Sequence, residues 1–340
     1  MGIIQEWQKQ LVPELMDVMK RRYSILHHIM MSGHIGRRAL AASLNMTERV
    51  LRSEVEFLKS QGFIDVSSAG MSVTDAGKIL LDQMDDAVKD LFGLAEYEEK
   101  IRKAFGLKEV VVVPGDSSQF PLRKKELGQA GASIVRKAVR PGDVIAVAGG
   151  STMAEIANHL TPSSQMKNNW FVPARGGLGE TVELQSNTIA STMAKRTGAQ
   201  YRLLHVPDHL GEEAYQSLMQ EPNIQEIISV IRRARIIVHG IGDAIEMAKR
   251  RKVDEETIQQ LQEAGALAEA FGYYFNQDGE VVRNIPTVGL RLKDIQNTEL
   301  VIGVAGGRNK GHAIAAVLRF GHEDILVTDE AAAEEILKLI

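Results

Sequence analysis

Hydrophobic positions recur at helical spacing through the first sixty residues, alternate briefly near residue 65, and beyond residue 105 gather into apolar runs separated by amphipathic segments. Tyr23, Leu26, Ile29 and Met30 mark one face of a helix over Met19–Met31, which Gly33 and Gly36 break. "RRALAASLNM" predicts a second short helix with Leu40 and Leu44 on one face. "TERVLRSEVEFLKSQG" predicts a third: Thr47 caps it, Leu51, Val55 and Leu58 fall at i, i+4, i+7, and Gly62 stops it. "FIDVSSAGMSVT" then reads as strand, turn and strand. The order helix, helix-turn-helix, two-stranded wing predicts a winged helix-turn-helix over residues 1–75.

Residues 76–104 read as a charged linking helix, capped by Thr74, with Leu80, Met84, Val88 and Leu91 in one stripe. That stripe packs on a neighbouring domain or forms a seam between two copies; the repeat is too short to demand a coiled coil. Residues 105–340 alternate strand and helix. Expected strands are 109–114, 143–148, 169–174, 201–206, 235–240, 300–306 and 324–328. Expected helices include 122–139, 151–160, 185–197, 224–233, 254–264, 310–319 and 329–339. This alternation predicts an α/β fold with a doubly wound, mostly parallel sheet.

Composition narrows the partners. A chain of 340 residues holds about two domains at ~100–200 residues each. Its formal net charge of -4 means that any nucleic-acid surface is local. The absence of cysteine excludes disulfides, thiolate zinc sites and cysteine nucleophiles, and suits a reducing cytoplasm. No run reaches ~18 uninterrupted apolar residues, so no membrane span is expected, and "MGIIQEWQKQLVPELMDVMKRR" lacks a signal-peptide layout.

Two regions carry candidate chemistry. With Leu51, Val55 and Leu58 turned inward, the third helix exposes Arg49, Arg52 and Ser53, and its first turn offers Thr47 and free N–H groups. Arg37 and Arg38 open the preceding helix, and Ser67 and Ser68 sit at the wing tip. A recognition helix reads base edges while hydroxyls and N–H groups hold phosphates, so these residues are candidate contacts to double-stranded DNA. The alternative is a winged helix used only for protein contacts.

In the second region, "AGGST" (148–152) and "VAGGRNKGHA" (304–313) each end a strand and open a helix. Glycine admits backbone N–H groups to an anion and the helix N-terminus adds positive potential. Gly149, Gly150, Ser151, Thr152 and Lys310 therefore form candidate phosphate loops, with Arg175 ending another strand and Arg250 and Arg251 following "HGIGDA". Neither loop has the GxGxxG or P-loop spacing, which disfavours a dinucleotide or ATP. Two such loops on one sheet suit a small, doubly anionic ligand; taken singly, each reads equally as turn chemistry.

"LGQAGASIVRKAVRPGDVIAVAGGSTMAEIA" and "VAGGRNKGHAIAAVLRFGHEDILVTDEAAAEEIL" resemble the SorC family of sugar-phosphate-responsive bacterial regulators, over nearly the whole chain. The family's effector domain is related to glucosamine-6-phosphate deaminase and ribose-5-phosphate isomerase. "GGST" and "ARGGLGETVELQSNTIA" are most similar to a member that represses an operon of lower glycolytic enzymes and is released by fructose-1,6-bisphosphate. The resemblance implies a cytoplasmic homo-oligomeric repressor, dimer or tetramer, bound to operator DNA, with no cofactor. It implies that Gly149, Gly150, Ser151, Thr152 and Lys310 cradle one phosphate, that Arg175 and Gln185 contact the ligand, that Arg250 and Arg251 meet the other phosphate, and that Glu269 accepts from sugar hydroxyls. Gln185 also reads as a polar residue at a helix start, and Glu269 as a surface charge on an edge strand. The related deaminases place a histidine two residues after a motif aspartate; here "GIGDAIEM" keeps Asp243 but has Ile245, while His205 and His209 lie elsewhere. The expectation is a binding scaffold. The alternative is a sugar-phosphate isomerase or deaminase fused to a DNA-binding module.

Overall fold

The computed structural model describes residues 11–177, 181–207, 212–285 and 287–340, and the backbone alone at 85–90 and 212. The chain divides into two compact units after Glu96.

The first unit contains α1 (Pro13–Ser32), α2 (Arg37–Ser43), α3 (Glu48–Ser60), β1 (Ile64–Ser67), β2 (Gly70–Val73) and α4 (Asp75–Phe92). Its core gathers Ile25, Leu26 and Ile29 of α1, Leu40 of α2, and Leu51, Val55 and Leu58 of α3, closed by Ile64 and Met71 of the wing. Thr47 accepts a hydrogen bond from the Val50 N–H at 3.4 Å, capping α3. The wing is an antiparallel pair from Ile64↔Val73 to Ser67↔Gly70. Ile35 joins it by exchanging backbone hydrogen bonds with Met71, a third pairing too short to leave a periodic signal. Glu54, buried on α3, accepts from Arg21 Nε (2.9 Å) and Arg22 Nε (2.8 Å), fixing α3 against α1.

The linking segment differs from its expectation. It is two helices, α4 and α5 (Leu94–Phe105), separated at Gly93, whose φ of 71° lies in the left-handed region. Leu81 of α4 is buried in the first unit's core, and Leu80, Met84 and Phe92 pack on it. α4 therefore belongs to the first unit, and the packing boundary falls well beyond residue 75.

The second unit is built on a seven-stranded sheet in the order β3-β13-β12-β7-β4-β5-β6, all pairs parallel. Its strands are β3 (Glu109–Val113), β4 (Val144–Val147), β5 (Trp170–Pro173), β6 (Gln200–Tyr201), β7 (Ile236–His239), β12 (Leu300–Val304) and β13 (Ile325–Asp329). The covering helices are α6 (Pro121–Ala138), α7 (Ser151–His159), α8 (Ser186–Thr197), α9 (Glu212–Gln220), α10 (Pro222–Arg232), α11 (Ala244–Arg250), α12 (Glu255–Glu263), α13 (Leu292–Gln296), α14 (Gly311–Phe320) and α15 (Glu330–Leu337). Central strands such as β4 and β7 are buried along nearly their whole length, as a sheet covered on both faces requires. Of the strand expected over 201–206, only β6 forms, pairing Gln200 and Tyr201 with β5 at the sheet edge.

A second, antiparallel sheet of β11-β10-β9-β8 runs through β8 (Gly242–Asp243), β9 (Ala268–Ala270), β10 (Tyr273–Phe275) and β11 (Val281–Asn284). Its strands are two to four residues long and left no alternation to read. The main sheet extends from β4 through β5 to β6, then returns to place β7 on the other side of β4. That reversal opens a crevice beyond the carboxyl ends of β4 and β7, where ligands bind in open α/β sheets.

Candidate functional site

The crevice is an open cleft lined by the loop after β4 (Gly149–Thr152), Arg175 after β5, His239–Gly242 after β7, Arg250, Glu269, Phe271 and, after β12, Lys310. Four adjacent strands thus deliver residues as distant in sequence as Gly149 and Lys310. The first loop needs both glycines. Gly150 stands at φ 112° as the N-cap of α7, and a Cβ on Gly149 would lie 2.8 Å from the Leu184 carbonyl oxygen. Gly150 N–H donates to that same carbonyl at 2.8 Å, which orients the turn. The first turn of α7 then presents N–H groups without intrahelical acceptors beside the Ser151 and Thr152 hydroxyls, an anion-binding arrangement.

Arg175, Arg251 and Glu269 form a buried cluster. Glu269 Oε1 accepts from Arg175 Nη1 at 3.1 Å, Arg251 Nη2 at 2.6 Å and the Gly272 N–H at 2.6 Å. Burial alone would raise the Glu269 carboxyl, but the Arg251 and Arg175 guanidinium groups outweigh it and hold it down to about 2. Its setting is not that of a surface charge on an edge strand. Glu269 lies on the interior strand β9, and its Oε1 is engaged by protein donors. It accepts from both arginine side chains. The Arg251 side chain is 2 % exposed and is not among the residues lining the cleft. Gln185 lies outside the lining as well, at the N-cap of α8.

Gly149, Gly150, Ser151, Thr152, Arg175, Arg250, Glu269 and Lys310 are brought to one cleft. Lys310 is drawn below the usual lysine range by burial first, and by the nearby Lys124 and Arg250 cations, against Glu246 and Asp243. Asp243 caps α11 by accepting from the Ile245 and Glu246 N–H groups. His205 is exposed and not in the lining; His209 and the segment 178–180 of "ARGGLGE" lie outside the described residues.

Two cleft residues, His239 and Phe271, and one lysine beside the cleft loop, Lys124, escaped the sequence reading. His239 ends β7, its Nε2 paired with Glu323 at 2.9 Å and its ring 4.4 Å from that of Phe271. Phe271 holds a φ of 56°, a left-handed conformation that a bulky residue rarely adopts and that clusters at functional sites. Lys124 of α6 donates to Ser151 Oγ at 3.2 Å. The strand-end position of His239 was a usable signal; the other two had none in the linear pattern.

In the first unit, Arg37, Arg38, Arg49 and Arg52 flank one surface groove together with Glu48. All four are exposed, as are Thr47 and Ser53. Their ion pairs are superficial: Arg38 to Glu48 at 3.7 Å and Arg52 to Glu56 at 3.0 Å. Such pairs are worth about 0–1 kcal/mol and exchange readily for phosphate. Ser67 Oγ accepts from the Ala69 N–H and donates to the Gly70 carbonyl, ordering the wing tip, while Ser68 is exposed.

Residues 18–88 match the family model described as "CggR N-terminal DNA binding domain", and residues 89–338 match "Putative sugar-binding domain". A "Central glycolytic genes regulator" from Priestia megaterium is 48% identical, covering 98% of each chain. One of the same name from Bacillus subtilis is 44% identical, covering 97% of each. The chain belongs to the SorC family of DNA-binding transcriptional regulators. A structure described as "putative SorC family transcriptional regulator from Enterococcus faecalis" superposes with a TM-score of 0.67 at 41% identity, covering 71% of this chain and 99% of that one. This SorC regulator is not an enzyme: its relatives are transcriptional regulators, and its crevice lies in a sugar-binding domain joined to a DNA-binding one. Among the described residues, no helix is long and apolar enough to cross a membrane.

Proposed function

We propose that this regulator represses a glycolytic gene operon in the cytoplasm and leaves its operator when fructose-1,6-bisphosphate fills the crevice of the second unit. The observation that carries the reading is the convergence of the Gly149–Thr152 loop, Arg175, Arg250 and Lys310 on one cleft. A bisphosphate carries two groups, each satisfied by helix N–H donors and cations. The Gly149–Thr152 loop with Lys310 takes one phosphate and Arg250 the other. Arg175, held by Glu269, faces the sugar, and Gln185 and Arg251 act from behind the lining. Relatives named for glycolytic genes support the operon class.

Arg37, Arg38, Thr47, Arg49, Arg52 and Ser53 contact the operator, with α3 in the major groove and α2 crossing the backbone. A homo-oligomer, dimer or tetramer, places several winged helices on one site and gains effective concentration. No cofactor takes part. Effector binding then lowers operator affinity by a coupling of about 1–3 kcal/mol, and operator DNA weakens effector binding by the same factor. The test is retention of an operator fragment in a gel titrated with fructose-1,6-bisphosphate. Release at up to millimolar ligand is expected, lost in Thr152→Ala and Lys310→Ala while their operator binding persists. Unchanged retention of the wild-type chain at millimolar ligand rejects the reading.

A further inference from the structure

Lys124 stands outside the strand-end loops, yet the packing of two helices aims it at the phosphate loop. Lys124, Gly128 and Gly131 share one face of α6, at i, i+4 and i+7. Gly128 and Gly131 let α6 approach α7 closely. A Cβ on Gly128 would stand 2.5 Å from Glu155 Cβ and 2.8 Å from the Glu155 carbonyl carbon, and one on Gly131 would stand 2.9 Å from Ile156 Cδ1. The two helices run side by side in the same direction. One turn before Gly128, Lys124 therefore meets the residue one turn before Glu155, which is Ser151. Its Nζ donates to Ser151 Oγ at 3.2 Å.

Lys124 stands in a region of positive potential. The ammonium stands at the positive end of α7. It interacts repulsively with Lys310, which lines the cleft. Among the described residues no carboxylate pairs with Lys124; its partner is a neutral hydroxyl. A half-buried lysine, brought by close helix packing to a helix N-terminus and near a second lysine, is arranged for a negative ligand.

We propose that Lys124 is a direct ligand of the phosphate held by the Gly149–Thr152 loop, exchanging the Ser151 hydroxyl for a phosphate oxygen when the effector enters. The loop amides, Lys124 and Lys310 then surround a dianionic phosphate monoester from three sides. This subsite discriminates against a singly charged carboxylate, which leaves one ammonium uncompensated. The proposal rests on the reading of the crevice as a phosphosugar site.

Calorimetry of the full chain with fructose-1,6-bisphosphate separates the two. Lys124→Met should weaken binding about ten- to a hundredfold, the range of a charge-assisted hydrogen bond. Lys124→Arg should recover most of that loss, and Lys125→Met, altering the exposed neighbouring lysine, should bind as wild type does. Melting temperatures without ligand should agree among all four, which excludes a merely structural role. Between pH 5 and 8 the wild-type affinity should climb more steeply than that of Lys124→Met, following the second phosphate ionisation near ~6. Binding by Lys124→Met within about threefold of wild type, or an equal pH slope, overturns the assignment of Lys124 alone. No binding by the wild-type chain removes the phosphosugar reading, and the Lys124 proposal with it.

Discussion

The two units hold their arginines in opposite ways. Arg37, Arg38, Arg49 and Arg52 stand in water, paired loosely or not at all with carboxylates on their own surface. Arg175 and Arg251 are buried on either side of one carboxylate, Glu269. In high dielectric an ion pair is weak, so an exposed arginine can trade its partner for a DNA phosphate at little cost. In the interior each charge depends on its partner, because an uncompensated buried charge is expensive. Arginine therefore serves as an exchangeable contact in one unit and as framework in the other. Lys124 and Lys310 are half-buried, a depth at which the attraction to an anion is stronger than in open water.

The strongest way to break this comparison is Glu269→Gln. The substitution keeps the shape and removes the charge that Arg175 and Arg251 share. A loss of about 3–5 kcal/mol in the second unit is expected, read by urea unfolding followed by circular dichroism. The pH dependence carries the sign. The Glu269 carboxyl is held down to about 2 from 4.5, so its stabilisation is complete above pH 4.5 and disappears as pH falls towards 2. The Gln variant should lack that acid limb. A loss under about 1 kcal/mol, the size of an exposed pair, would erase the distinction between the two units.

Arg52→Ala tests the other side. Stability should stay within about 0.5 kcal/mol, because the side chain is exposed and its partner Glu56 is too. Affinity for an operator fragment should fall, and the slope of log affinity against log salt should shrink by about 0.9 if one phosphate contact is lost. Fluorescence anisotropy between 50 and 200 mM salt measures both. An unchanged slope with reduced affinity would place Arg52 on a base edge; unchanged affinity would remove it from the interface.

What the linear pattern revealed follows the same division of depth. The winged helix was legible because its apolar positions, its Thr47 cap and its glycine stops are local signals on short elements. The parallel sheet was legible because strands buried on both faces are uninterrupted apolar runs. The loops after β4 and β12 were legible because glycine pairs at strand ends are rare enough to notice. The cluster around Glu269 was hidden: its arginine partners lie 94 and 18 residues away, and a glutamate between alanines reads as surface. Glu54 was hidden for the same reason, its partners Arg21 and Arg22 being more than thirty residues earlier. The α4 stripe was readable as apolar but not as to what covers it, since the same periodicity suits its own unit or a second copy.

The smallest expected effect is the most informative about the cleft floor. His239 is buried there, with Glu323 on Nε2 at 2.9 Å, the Gly240 carbonyl beside Nδ1 at 3.1 Å, the Phe271 ring at 4.4 Å and Glu269 contributing at longer range. Gly303 of β12 makes room for this pair, since a Cβ there would lie 3.1 Å from Glu323 Oε2. Burial pulls the imidazole down, but the Glu323 charge and hydrogen bond win and raise it above its ordinary 6.5. A raised folded-state value means that the pair's stabilisation is fully present below pH 6.5 and lost as pH rises through that higher value. Glu323→Gln removes the group that keeps the imidazole charged. The wild-type melting temperature should therefore decline on the alkaline side by about 2–4 °C, the shift of roughly 1 kcal/mol in a unit of this size, and the variant should not show the decline. Differential scanning calorimetry from pH 6 to 9 decides it. Parallel curves for the two proteins would make His239 a neutral hydrogen-bonding residue, and the cleft would then lose one of the positive charges that set it apart from the solvent-facing arginines of the first unit.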